Sequence, residues 1–154
     1  MDGVLADFDQ RAQMLCETDN IYRYEFKNGP KAFWGKLNSD PEFFLNLMPT
    51  ADMDVLVNAV VATGWDIAVL TALPKRDASS VQNQKTQWVA ENIGLGFPVI
   101  CCLTEEKPSF CAEGDILIDD RALNADAWVA KGGRFIHHVS AARSVAALED
   151  LGLL

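Results

Sequence analysis

Polar residues close the short apolar runs of this 154-residue chain, and their types suit phosphoryl chemistry. Asp2 and Asp7 lie in the opening DGVLADFD, Thr71 ends DIAVLT, Asp119 and Asp120 end DILIDD, and Lys107 follows PVICCL in LTEEK. Clustered carboxylates hold a hard divalent cation such as Mg2+ through oxygen; a hydroxyl and backbone N–H groups receive phosphate oxygens, and a lysine offsets the charge on the transferring group. Taken singly, each residue is also what ends a strand or caps the next helix. Their combination is harder to assign to capping alone.

For these residues to meet, the apolar runs must lie side by side. The stretches 66–71, 98–103, 115–118 and 134–139 are short, apolar and rich in β-branched residues, which predicts four strands. The segments 51–62, 78–93, 123–130 and 141–151 carry apolar residues at helical spacing, with Gly64, Gly94 and Gly132 placed as carboxyl caps. Strand and helix in alternation predict an α/β fold with a doubly wound parallel sheet, whose ligand sits at the carboxyl ends of the strands. The segment from about 10 to 50 breaks the pattern, being aromatic-rich and punctuated by Asn28-Gly29-Pro30 and Asp40-Pro41. It reads as a small helical cap insertion above that edge, within one domain spanning 1–154.

Charge narrows the partner. Twenty-two acidic against thirteen basic residues give a formal net charge of −9, which repels a nucleic-acid polymer. A small phosphorylated substrate remains compatible, because one lysine and a divalent cation reverse the field locally. No apolar run approaches the roughly 20 residues that span a bilayer, and no export leader is apparent, so a cytoplasmic protein without a membrane partner is expected. Cys16, Cys101, Cys102 and Cys111 include no CxxC, and His137 and His138 are adjacent. Reduced thiols are expected, and a structural zinc site is not.

Beyond composition, DGVLADFD, the TALPK turn, the lysine in LTEEK and the closing DILIDD resemble the four signature motifs of the haloacid dehalogenase superfamily of phosphatases. FFLNLMP and KTQWV extend the likeness, which is greatest to the 5′(3′)-deoxyribonucleotidases and covers about residues 1–120. The resemblance implies a Mg2+-dependent phosphomonoesterase on that superfamily's α/β fold, acting on a deoxynucleoside monophosphate. A sugar-phosphate phosphatase and a non-catalytic nucleotide-binding protein are the alternatives, and a homodimer is left open.

Carried over by position, the resemblance implies that Asp2 is the general acid and base, with its backbone carbonyl on the metal. Thr71 would bond phosphoryl oxygens, with Ala72 in the same substrate-binding turn and Lys75 near the phosphate. Lys107 matches the third-motif lysine, with Lys85 as the other candidate. Asp119 and Asp120 match the metal-binding pair, Asp120 being favoured for direct coordination. The family's nucleophilic aspartate would stand immediately before Met1, at the end of a central strand. A chain truncated there is the expectation, and with it little or no turnover by these 154 residues.

Aromatics of the insertion have two readings, a small core of their own or a base-binding wall. The resemblance moves Phe8 and Trp34 towards substrate and leaves Phe43 and Phe44 open. Trp88 is expected in the core, His137 and His138 are expected to point to opposite faces of a strand, and Asp52 and Asp54 are placed in the first turn of a helix.

Overall fold

The structure, a computed structural model, describes residues 1–74 and 77–154. Three short helices come first: α1 (Phe8–Cys16), α2 (Ile21–Asn28) and α3 (Pro30–Leu37). Each begins where the sequence supplies a cap or a stop. The Asp7 carboxylate accepts from the Gln10 N–H at 2.9 Å, Asn20 does the same for Arg23 at 2.8 Å, and Pro30 opens α3 where its missing N–H costs nothing. Asp7, a candidate for chemistry in the sequence, is therefore a helix cap.

The remaining chain alternates as expected: α4 (Met53–Ala62), β1 (Val69–Ala72), α5 (Ala78–Asn92), β2 (Val99–Cys102), β3 (Ile116–Asp119), α6 (Ala125–Val129), β4 (Arg134–His137) and α7 (Ala141–Asp150). A 3-10 turn over Thr104–Phe110 follows β2, and another over Ala122–Asn124 precedes α6. Pairing is parallel throughout, with Val69 opposite Val99 and Ile116 opposite Arg134. The fold is thus mixed α/β with short parallel strands.

The expected sheet is met in part. The strands are parallel, and among the described residues β1 pairs with β2 and β3 with β4, in two sheets of two strands. The opening turn does not join them, because its backbone bonds close on itself and on the 48–50 segment. Val4, Leu5 and Ala6 all donate to the Met1 carbonyl, at 3.2, 2.8 and 3.2 Å. The expected strand at 66–71 is also shorter than its apolar run, beginning only at Val69.

The insertion is held down by α5. Trp88 is fully buried and its indole N–H donates to the Leu47 carbonyl at 2.7 Å; Gln84 reaches the Pro41 carbonyl at 3.0 Å and accepts from the Phe44 N–H at 3.1 Å. Above them, Phe8 packs edge-on against Phe43 with centroids 5.3 Å apart, and lies 6.4 Å from Trp34. The insertion therefore has an aromatic core of its own. Phe33 and Phe43 are buried core, whereas Phe8 and Trp34 are half-buried at its edge.

Strand alternation sends His138 inward and His137 outward, as expected; the His138 ring lies 2.9 Å from the Ser144 hydroxyl. Asp52 does more than begin α4, since it accepts from the Ala141 N–H at 2.7 Å and so caps α7 from a distance. All four cysteines are free. Among the described residues no helix is long and apolar enough to cross a membrane.

Candidate active site

The carboxyl ends of β1 and β3 open on one cavity of about 370 Å³. Asp2, Thr71, Ala72, Lys107, Asp119 and Asp120 all line it, as do Phe8 and Trp34. Residues from the beginning, middle and end of the chain thus converge, as their places after apolar runs require. Lys75 lies outside the described residues.

Two lysines organise the floor. Lys85, two turns into α5 on its buried face, is 1% exposed and donates to Asp2 at 2.5 Å, to the Thr71 hydroxyl at 3.0 Å and to the Ala72 carbonyl at 2.8 Å. Three acceptors for three ammonium hydrogens make burial of this charge tolerable. Its ammonium also stands 4.7 Å from the centre of the Phe44 ring. Lys107 is positioned by the 3-10 turn, whose start is closed by Glu106 reaching back to the Leu103 N–H at 2.8 Å, and it pairs with Asp119 at 2.5 Å.

The two candidate lysines therefore divide the work. Lys85 joins Asp2 and Thr71, and Lys107 serves Asp119. Nothing in local spacing separates them, because Lys85 lies 83 positions from its carboxylate partner and reaches it only through the packing of α5 on β1.

The three carboxylates are not equivalent. Burial works against the charge on Asp119, but the Lys107 ammonium and the Arg121 N–H, which donates at 2.9 Å, hold its carboxyl below the usual range. Asp120 has no side-chain ion pair among the described residues, and burial together with the neighbouring Asp119 charge pushes it up to about 6 against the pull of the amino terminus. Asp2 has one oxygen on Lys85 while Oδ1 is buried with no hydrogen-bond partner. Gly3, at φ +72°, lets the backbone pass against Asp120; a Cβ there would strike the carboxylate.

A cation fits this arrangement on two counts, an orphaned oxygen on Asp2 and an under-neutralised Asp120. Among the described residues no three histidine, cysteine or acidic side chains form a ready metal cage. Mg2+ does not require one, since it keeps several waters and commonly takes one or two carboxylates.

Sequence reading missed the lid-facing rim. Asp9, Tyr22 and Arg121 also line the cavity, and burial together with the charge of Asp7 raises the Asp9 carboxyl. Arg121 directly follows the DILIDD run and was discernible as a cation beside the expected site; Asp9 and Tyr22 carry no spacing signal. No protein-family model matches the chain, and no curated protein matches it.

Proposed function

We propose that this chain is a Mg2+-dependent phosphomonoester hydrolase domain of the haloacid dehalogenase type, with a doubly wound α/β architecture, and that its substrate is a nucleoside monophosphate. The observation that carries the reading is the meeting of Thr71, Lys85, Lys107 and the carboxylates Asp2, Asp119 and Asp120 around one cavity, beside the aromatic wall of Phe8, Trp34 and Phe44.

Phosphate oxygens are received by Thr71 and by the two ammonium groups, which exchange part of their present carboxylate contacts for the ligand. Asp2 is placed to give a proton to the leaving alkoxide and later to take one from water. Asp120 and the backbone carbonyl of Asp2 would hold Mg2+, with Asp119 fixed behind them by Lys107. When bound, that ion offsets charge on the phosphoryl oxygens. The covalent route further needs an attacking carboxylate. The cap brings Phe8 and Trp34 over the phosphate, where a stacked base contributes about 1 to 3 kcal/mol.

A second reading, binding of the nucleotide without turnover, is favoured by the pairing already present. Asp2 and Asp119 are each held by a lysine, so two of the three carboxylates are engaged in ion pairs and not free to attack.

Calorimetric titration of the chain with deoxynucleoside monophosphates, with and without Mg2+, is the test, run beside a phosphate-release assay. Saturable binding that tightens with Mg2+ and is lost in Lys85→Ala is expected, with little phosphate released. Binding indifferent to Lys85 would overturn the site assignment, and rapid phosphate release would remove the second reading.

A further inference from the structure

Gln84 and Lys85 are neighbours on α5, yet they serve different parts of the molecule. Lys85 enters the floor of the cavity, whereas Gln84, half-buried, is not among the residues that line it. Its carboxamide is nevertheless fully engaged. Oε1 accepts from the Phe44 and Leu45 N–H groups at 3.1 and 3.3 Å, while Nε2 donates to the Pro41 carbonyl at 3.0 Å and to the Ser80 hydroxyl at 3.2 Å. Two donors and two lone pairs are all that a carboxamide has, and the two N–H partners fix which of its ends is oxygen.

The segment held in this way, 41–45, has no helix or strand of its own. Its turn is closed by the Phe43 and Asn46 N–H groups, which reach the Asp40 and Glu42 carbonyls at 3.2 and 2.9 Å. Those bonds pass over Phe44 and Leu45, so the backbone that aims the Phe44 ring is secured from α5 and not from within the turn. The ring is 7% exposed, lines the cavity and stands with its centre 4.7 Å from the Lys85 ammonium. A ring face there attracts the charge and keeps water away without taking any of the three hydrogens given to Asp2, Thr71 and Ala72. When a phosphate oxygen replaces one of those acceptors, this flank of the ammonium needs no dehydration and its direction is already set.

We propose that Gln84 is a positioning residue of the site: it holds the Phe44 ring on the Lys85 ammonium and so sets the affinity of that lysine for a phosphate group that Gln84 itself does not touch. The affinity half rests on the phosphate reading given above, and the placement of the ring does not. Because Gln84 and Lys85 are consecutive on one rigid helix, any shift of segment 41–45 against α5 displaces the ring from the ammonium, while the bonds from Lys85 to Asp2, Thr71 and Ala72 involve other segments.

The test follows the Lys85 ε-CH2 and ammonium protons by NMR, since a ring face displaces them upfield, first in the ligand-free protein and then with inorganic phosphate as the probe. Gln84→Met keeps the length of the side chain and removes its four bonds. It is expected to lose the upfield displacement to the same degree as Phe44→Leu, and to bind phosphate about fivefold or more weakly. Gln84→Glu, which retains the acceptor for the two N–H groups, is expected to restore at least about half of the displacement. Adding Phe44→Leu to Gln84→Met should weaken phosphate binding by less than about twofold further, because both act through one contact. Trp88→Phe loosens the same stretch at Leu47 and controls for a merely structural role; it should lower the urea midpoint and leave phosphate affinity within about twofold. A Lys85 signal that stays in place in Gln84→Met, an affinity that falls as far in Trp88→Phe, or a moved signal with unchanged affinity in a parent that binds phosphate would overturn the proposal. A parent that binds no phosphate would sink the phosphate reading instead, and the ring placement would then stand on a moved Lys85 signal in Gln84→Met and fall on an unmoved one.

Discussion

The Lys85 ammonium is bonded to the Asp2 carboxylate across 83 positions of sequence, with the Thr71 hydroxyl as a further acceptor. This contact locks α5 to the opening turn and to the end of β1, so the same lysine organises the fold and the candidate active site. Its removal leaves Asp2 as a buried, uncompensated charge, which costs about 3 to 5 kcal/mol where the pair is well buried. Lys85→Met is expected to lower the urea midpoint, with a loss of unfolding free energy near the lower end of that range because Asp2 keeps some exposure. Lys85→Arg is expected to recover less than half of the phosphate affinity lost in Lys85→Met on isothermal titration, since a planar fork cannot replace three hydrogens aimed at separate acceptors. An unchanged urea midpoint in Lys85→Met would dismiss the pair as a structural element.

Asp120 sets a pH dependence of opposite sign to the usual carboxylate. Its folded value of about 6 lies above the ordinary 3.8, so between these values the folded state binds more protons than the unfolded one. Stability therefore falls as pH rises through that window and is regained on acidification. Asp120→Asn removes the charge and is expected to stabilise the metal-free protein at pH 7.5 by on the order of 1 kcal/mol, after discounting for partial exposure, and to leave stability at pH 4 nearly unchanged. The same substitution is expected to weaken Mg2+ binding at least tenfold. Thermal melts at the two pH values and a Mg2+ titration check both halves, and a variant less stable at pH 7.5 would contradict the first.

How much of this was legible in the sequence follows from where each interaction is made. Strands after Gly64 and Gly94 were readable because apolar runs and glycine caps are local, and so were the polar residues that end them. The lysine that reaches Asp2 was not, since its role depends on which face of α5 packs on β1, and the weakly amphipathic ASSVQNQKTQWVAEN does not announce a buried ammonium. A single continuous sheet was expected from alternation alone, yet alternation reports the order of elements and says nothing about which edges are laddered. Asp7 illustrates the converse, with a residue of catalytic type whose place beside a helix start made it a cap.

The two tryptophans nearest the site separate stability from recognition. Trp88 is fully exposed to neither solvent nor cavity, being 0% accessible with its N–H bonded to Leu47, so Trp88→Phe forfeits that bond and part of the volume. A loss of about 2 to 3 kcal/mol is expected. Trp34 is half-buried and lines the cavity, so Trp34→Ala is expected to cost less than about 2 kcal/mol of stability while weakening nucleoside monophosphate binding roughly 5- to 100-fold. Inorganic phosphate, which has no base to stack, should bind both variants and the parent within about twofold. Loss of phosphate affinity in Trp34→Ala would show that the ring shapes the phosphate site and not a base site.

Gly3 is where backbone conformation and charge placement meet. At φ +72° a side chain costs about 1 to 2 kcal/mol in conformation alone, and at this position its Cβ would also drive into the Asp120 carboxylate. The Asp120 backbone is itself held, its carbonyl lying 2.9 Å from the His137 ring at the end of the neighbouring strand. Gly3→Ala is therefore expected to destabilise the protein by about 2 kcal/mol or more and to weaken Mg2+ binding severalfold, with phosphate affinity measured without Mg2+ reduced less, since Lys85 and Lys107 do not touch this residue. Pairing it with Asp120→Ala provides the check on cause. If the clash with the carboxylate is what matters, removing that group in Gly3→Ala with Asp120→Ala should recover at least half of the lost stability by urea denaturation, whereas a purely conformational penalty would persist undiminished in the double variant.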